Sequence, residues 1–398
     1  MALISQQKHL LVLSLCALTS IIMGSLTLNS LRTEMAIYST DHTPISVHPQ
    51  ESYAYKVPRM TQSRMKKLRG PKGPKYTVLV TGAAGFVGMH TALELKRLGM
   101  TPIGYDNVNN YYSTDLKETR ISELEKHGVA FVEGDVCDVE QLKETIQKHK
   151  ITRIIHLAAQ AGVRYSLDHP LEYTRNNLDC FVHLLETIKE LDLKSTLVYA
   201  SSSSVYGNNA KVPFHETDLV EDPASLYAAT KRSNELIAHT YWNLYNISSI
   251  GLRFFTVYGP FGRPDMAPWI FTDKISNNET IRVFNHGNSQ RDFTYVDDIV
   301  QGVVNALYVH TGQPEIVNLG NGRPVVLADF VRLVEEHVGR KAQIQSVGMQ
   351  KGDVPVTYAD ITKARRLLGY NPSTPIEEGI AQFVSWFREH DASQYRMQ

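Results

Sequence analysis

Apolar and polar positions fall into three rhythms along the chain. Residues 10–28 are apolar on every side and uncharged. That length is close to the ~20 residues that cross a bilayer, and a run apolar all round predicts a transmembrane helix rather than a soluble-core one. Lys8 precedes the run and only Arg32 follows closely, a bias that keeps the N-terminus cytoplasmic. Small residues at Gly24 and Ser25 leave a cleaved signal peptide as the alternative. Residues 35–74 carry Ser, Thr, Pro and His with no clear period and end in a basic cluster, Arg64, Lys66, Lys67, Arg69, Lys72 and Lys75. They read as a solvated stem.

From residue 76 short apolar runs alternate with stretches of helical period. Runs at 76–80, 102–105, 129–132, 154–157, 197–200 and 249–252 have the length and apolar continuity of buried parallel strands. The alternation predicts an α/β fold, a Rossmann-type doubly wound parallel sheet with helices on both faces. After Phe255 the rhythm loosens at Pro260, Pro264, Pro268, Gly287 and Asn288, with helices expected at 297–308, 327–338 and 374–390. The plan is therefore an anchor at 1–34, a stem at 35–74 and a dinucleotide-binding domain at 75–256. A smaller C-terminal substrate-binding domain at 257–398 completes it, with segments returning to the sheet.

Composition changes this picture little. Forty-one basic residues balance forty-one acidic ones, so charge gives no argument for nucleic acid and none is expected as a partner. Cysteine is scarce, at Cys16, Cys137 and Cys180, with neither a disulfide framework nor metal-type spacing. No metal is expected. Cys16 lies in the apolar run, so at most Cys137 and Cys180 pair, and both are expected as buried thiols. Asn246-Ile247-Ser248 and Asn278-Glu279-Thr280 are glycosylation sequons if the body is lumenal.

The first chemical signal is Gly82-x-x-Gly85-x-x-Gly88 between a strand and a helix. Glycines there allow a tight turn and close approach to a pyrophosphate, which the helix N-terminus attracts. Asp106 ends the second strand, where a carboxylate bonds the adenosine ribose and repels a 2′-phosphate, favouring NAD over NADP. Asp135 and Val136 follow the third strand and either meet the adenine or, for Asp135, cap the next helix. The second signal is Tyr227 and Lys231, four residues apart on one helical face, with Ser202 at a strand end. The lysine is expected to lower the phenol's pKa so that it takes a proton from an alcohol, with the serine bonding the same oxygen.

These residues, with Asp106-Asn107-Val108-Asn109-Asn110-Tyr111-Tyr112, the phrase from Ala158 to Ser166 and the phrase from Arg253 to Met266, resemble the extended short-chain dehydrogenases/reductases. Within that group the chain from about 76 to 390 is most similar to the UDP-glucuronate 4-epimerase family. The resemblance implies retained NAD held by Gly82, Gly85, Phe86, Val87, Gly88, Asp106, Asp135, Val136 and Ala158 with Tyr227 and Lys231. It implies Ser202, Tyr227 and Lys231 as the catalytic triad and a UDP-uronic acid as substrate. It places Asn177 near the site, although Cys180-Phe181 stands where Gly-Thr is common. Arg291 is implied at the diphosphate, Asp353 at the uridine ribose, and Thr256 and Arg263 at the sugar carboxylate. A homodimer built on a helix pair near the active-site helix is also implied.

Oxidation at C4 of a UDP-sugar gives a 4-ketone that is re-reduced to the C4 epimer, or loses water or carbon dioxide. Related dehydratases carry Asp-Glu directly after the catalytic hydroxyl residue, and related decarboxylases a Glu in the second of those places. This chain has Ser203 and Ser204, neither a useful base near neutral pH. Epimerisation remains: reversible conversion of UDP-glucuronate to UDP-galacturonate through a transient 4-keto sugar. Arg263 offers bidentate donors for the carboxylate, with hydroxyls from Thr256 and Ser203. The alternative for Arg263 is a loop ion pair. Alternative functions are a UDP-galactose or UDP-N-acetylhexosamine 4-epimerase, a UDP-glucuronate decarboxylase, or a non-catalytic NAD-bound protein. The anchor makes this a single-pass type II membrane protein, its body in the Golgi lumen if the host is eukaryotic, or on the inner membrane if bacterial.

Overall fold

The structure is a computed structural model that describes residues 62–70, 72–193, 196–349 and 354–397. The expected membrane segment at 10–28, most of the stem and Asp353 lie outside them. Among the described residues no helix is long and apolar enough to cross a membrane.

Seven strands form one all-parallel sheet: β1 (Thr77–Thr81), β2 (Thr101–Asp106), β3 (Ala130–Glu133), β4 (Arg153–His156), β5 (Leu197–Ser202), β6 (Ser249–Phe254) and, much later, β11 (Glu315–Leu319). The order β11-β6-β5-β4-β1-β2-β3 turns around between β1 and β4, the crevice where doubly wound sheets bind ligands. Helices cover both faces, so alternate side chains enter different cores. Val78 and Val80 of β1 join one apolar cluster and Leu79 the other; Ile155 and Ile154 of β4 divide the same way. This two-sided burial makes the strands apolar throughout.

Beyond β6 the chain makes short pieces. β7 (Thr256–Tyr258) pairs with β10 (Phe293–Tyr295), and β8 (Thr280–Val283) with β13 (Gln343–Ser346). β9 (Gln290–Arg291) lies between β12 (Val325–Val326) and β14 (Val356–Thr357). β11 then pairs with β6, Val317 opposite Leu252.

Two expectations are corrected. The end of the stem is not merely solvated linker, because Gln62–Arg69 is helical. Met65 is buried and Leu68, three residues on, packs against the main core. Arg69 forms an ion pair with Glu94 and reaches Asn305 Oδ1 at 3.5 Å. Cys137 and Cys180 are not separate thiols. The fold brings their Cα atoms to 4.4 Å, within bridging range, and joins them in a disulfide across 43 residues of sequence.

Candidate active site

The glycine turn follows β1. Gly82 has φ +74°, and its N–H donates to the Tyr105 carbonyl at 2.8 Å. A Cβ on Gly82 would sit 2.6 Å from the Ala158 nitrogen, and one on Gly88 2.0 Å from the Gly82 carbonyl oxygen. The helix Phe86–Arg97 and the segment after β4 can approach this closely only with glycine here. Asp106, at the end of β2, accepts the Ala84 N–H at 3.1 Å and the Val108 N–H at 2.9 Å. Burial raises its pKa, against Lys117 and these amides. The backbone cradle and carboxylate suit a dinucleotide with a free ribose hydroxyl.

Asp135 does not cap the next helix. Asp138 does, accepting the Gln141 N–H at 3.1 Å. Asp135 accepts the Cys137 N–H at 2.8 Å and Arg175 Nη2 at 3.0 Å. Burial raises its carboxyl, but these donors and Asn107 outweigh that and hold it below the ordinary value.

Ser225 starts the helix Leu226–Tyr245 by accepting the Ala228 N–H at 3.1 Å. One turn separates Tyr227 from Lys231, whose Nζ donates to the Ala200 carbonyl on β5 at 2.8 Å. Glu235, a turn further, accepts Ser201 Oγ at 2.7 Å and two bonds from Arg253 of β6, each 2.8 Å. The helix is thus keyed to both strands beneath it. The phenol departs from expectation. Burial raises the Tyr227 pKa; a hydrogen bond shared with Ser202 and the charge of Arg263 oppose this, and Asp265 adds to it. Lys231 is itself lowered to about 8 by burial, with Glu235 opposing, and its nearest task is to fix the end of β5. The ring of Tyr173 stands nearly perpendicular to Tyr227 at 6.1 Å.

The glycine turn, Phe86, Val87, Asp106, Asp135, Val136 and Ala158 line one cleft of about 350 Å³. Ser202, Ser203, Tyr227, Lys231, Thr256 and Arg263 line the same cleft. Asn177 stands just behind this wall. In a π-helical turn, Thr174–Asp179, it bonds the Gln160 backbone and Thr230, and its carbonyl accepts from Asn234. It ties the segment after β4 to the helix that carries Tyr227 and Lys231. Arg291 lies on β9, where Nη1 donates to the Gln290 carbonyl at 2.9 Å. It is not among the described residues lining the cleft.

Arg263 satisfies both readings of it. It lines the cleft, and it grips Asp265 with Nε and Nη2. Burial alone would lower its pKa; the Asp265 carboxylate outweighs this and keeps the guanidinium charged. Tyr111 donates to the same carboxylate at 3.0 Å. Sequence reasoning missed Asp265 and two supports of this loop. Arg120 is fully buried and donates to the carbonyls of Ala84, Phe261 and Gly262. His90 is hydrogen-bonded to the Pro260 carbonyl at 2.9 Å. Together they join the glycine turn and its helix to the loop carrying Arg263.

The family model for GDP-mannose 4,6 dehydratase matches residues 79–383. The chain belongs to this family. Within the GDP-mannose 4,6 dehydratase family it is similar to UDP-glucuronate 4-epimerase 4 of Arabidopsis thaliana, 49% identical over 337 residues, covering 81% of this chain and 77% of that one. UDP-glucuronate 4-epimerase 2 of the same plant is 48% identical over 327 residues, covering 78% of this chain and 75% of that one. Among solved structures, UDP-glucuronic acid 4-epimerase from Bacillus cereus, in complex with UDP-glucuronic acid and NAD, superposes with a TM-score of 0.73. It is 33% identical, covering 79% of this chain and 99% of that one. Family membership accounts for the extended short-chain dehydrogenase/reductase sheet and for the site at its turning point.

Proposed function

We propose that this chain is an NAD-dependent isomerase that interconverts UDP-glucuronate and UDP-galacturonate at C4. The observation that carries the reading is that Arg263, Thr256 and Ser203 line the cleft that also holds Ser202, Tyr227 and Lys231. Relatives named UDP-glucuronate 4-epimerase, 46–49% identical, support it.

The glycine turn, Asp106 and Val136 would hold NAD, which when bound takes up and gives back the hydrogen at C4. Tyr227 accepts the C4 hydroxyl proton while Ser202 bonds the same oxygen. Lys231 keeps Ser202 in place through the Ala200 carbonyl. Ser203 and Ser204 occupy the places where an acid and a base would act at C5 and C6, so the ketone is neither dehydrated nor decarboxylated. The 4-keto uronate is a β-keto acid. Arg263, Thr256 and Ser203 hold its carboxylate where cleavage would not conjugate with the ketone. Arg291 and Asp353 are proposed for the diphosphate and the uridine ribose.

We further propose a type II membrane protein whose body is lumenal in a eukaryotic host. Exposed Asn246 and Asn278 in their sequons and the Cys137–Cys180 disulfide support an oxidising, glycosylating compartment. Exposed Leu236, Leu244 and Tyr245 on the catalytic helix support a homodimer across that helix.

The test is product analysis. The full-length chain is incubated with UDP-glucuronate and no added NAD, and the products are resolved by anion-exchange chromatography and NMR. UDP-galacturonate without carbon dioxide is expected. A UDP-pentose, or turnover of UDP-galactose alone, would overturn the reading.

A further inference from the structure

The disulfide borders the cofactor cleft. Asp135 and Val136 line the cleft just after β3, and Cys137 is the next residue. Cys180 also lines the cleft and opens the helix Cys180–Glu190, directly after the turn that carries Asn177. Beyond apolar packing, the Cys137–Cys180 bond and the Arg175–Asp135 ion pair at 3.0 Å tie these wall segments among the described residues. The ion pair is half-exposed on its arginine and contributes about 0–1 kcal/mol in such a setting. The covalent tie dominates. It also fixes Asp135, whose Oδ1 accepts the Cys137 N–H at 2.8 Å and lies 3.8 Å from Cys180 Sγ. From Cys180 the path runs to Asn177 and so to Thr230 and Asn234 of the catalytic helix.

We infer that Cys137 and Cys180 are positioning residues that latch the cofactor cleft: the disulfide retains NAD, and its reduction by a dithiol releases it. This rests on the reading of the cleft as an NAD site. A dithiol transfers two electrons and two protons, the S–S bond breaks, two cysteine thiols form and the dithiol leaves as its cyclic disulfide. The wall then keeps the exposed ion pair and the apolar packing of the two helices behind it, and loses its covalent tie beside the cleft. An epimerase draws a practical advantage from the latch, because one cofactor must stay through both halves of every turnover. In an oxidising compartment the latch is closed, and a reducing one opens it.

The experiment uses the full-length protein with its NAD. Denatured samples are alkylated with and without prior dithiothreitol, and the modified cysteines are located by mass spectrometry. Cys137 and Cys180 are expected to be blocked until reduced. NAD release is then timed after gel filtration for untreated protein, dithiothreitol-treated protein, Cys137→Ser and Cys180→Ser. Release at least tenfold faster is expected on reduction and in both variants, with no further effect of dithiothreitol on the variants. If the cross-link is only structural, its loss will lower the melting temperature of the NAD-free protein and leave the release rate unchanged, which overturns the latch. Alkylation of both cysteines without reductant overturns it too. Equal NAD retention in both redox states overturns the latch alone. Protein that binds no NAD in either state overturns the cofactor reading and the latch with it.

Discussion

Arg263 and Asp265 meet through two hydrogen bonds, Nε to Oδ1 at 2.9 Å and Nη2 to Oδ2 at 2.5 Å, on the wall that faces Tyr227. Their charges act on the phenol with opposite sign, the guanidinium lowering its pKa and the carboxylate raising it. In the proposed mechanism Tyr227 is the base, so activity should rise with pH through its pKa. Asp265→Asn is expected to move the acid limb of kcat/KM to lower pH, and Arg263→Met to higher pH. Arg263→Met should also raise KM for UDP-glucuronate by roughly 10-fold or more, the loss of a charged hydrogen bond. Paired pH–rate profiles check both signs; shifts in the same direction would refute the argument.

Tyr227→Phe removes the proton acceptor and keeps the ring beside Tyr173. Turnover should fall by about 10²–10⁴-fold. NAD measured after gel filtration should stay with the protein, and full activity would end the proposed role.

Gly88→Ala places a methyl 2.0 Å from the Gly82 carbonyl, a backbone atom that cannot swing away. The turn or the helix must shift, at a cost of about 3 kcal/mol or more. The variant should bind NAD poorly and melt lower. An unchanged melting curve would contradict the packing.

Arg120→Met leaves the buried carbonyls of Ala84, Phe261 and Gly262 without this donor. At about 1 kcal/mol or more for each unpaired acceptor, urea denaturation should show a loss of roughly 3 kcal/mol. Arg120→Lys should recover only part, since one ammonium cannot span the positions that the guanidinium fork reaches.

Burial holds His90 down to about 4, against its Pro260 bond, and His156 down to about 3, with the Lys231 charge adding to the effect. Both are neutral in the fold and protonate first in the unfolded chain. Each therefore adds nothing above pH 6.5, and below it the unfolded state gains protons that the folded state refuses. Stability should fall as pH drops from 6.5 toward 4, with a slope approaching about 1.4 kcal/mol per unit for each histidine. His90→Gln should flatten that slope in urea titrations; an unchanged slope would contradict the burial argument.

The parallel core is legible in sequence because each strand is buried on both faces and shows as an apolar run. The run at 76–80 becomes Thr77–Thr81, and that at 197–200 extends to Ser202. The cluster of Ser202, Tyr227 and Lys231 in one cleft is legible because one strand end and one helical turn carry them. Contacts between distant segments are not. Cys137 and Cys180 are 43 residues apart, and nothing local says that they meet. Nothing local marks Arg120 either; its carbonyl partners at Phe261 and Gly262 lie 141 and 142 residues away. The direction of the phenol's pKa is hidden from the sequence for the same reason. Spacing puts Lys231 beside Tyr227, but burial and the loop of Arg263 are tertiary facts.

The return of β11 to the edge of β6 has a consequence for anyone who would retarget this enzyme by grafting. A join near residue 256 looks like a seam between a cofactor half and a sugar half. A graft there would exchange more than sugar contacts, because the donor piece also brings the outermost strand of the recipient's scaffold. If its register against Ile250, Leu252 and Phe254 is wrong, the new edge lies open to pairing with other chains. Loop exchange around Thr256 and Arg263, inside an intact sheet, is the route that the architecture permits.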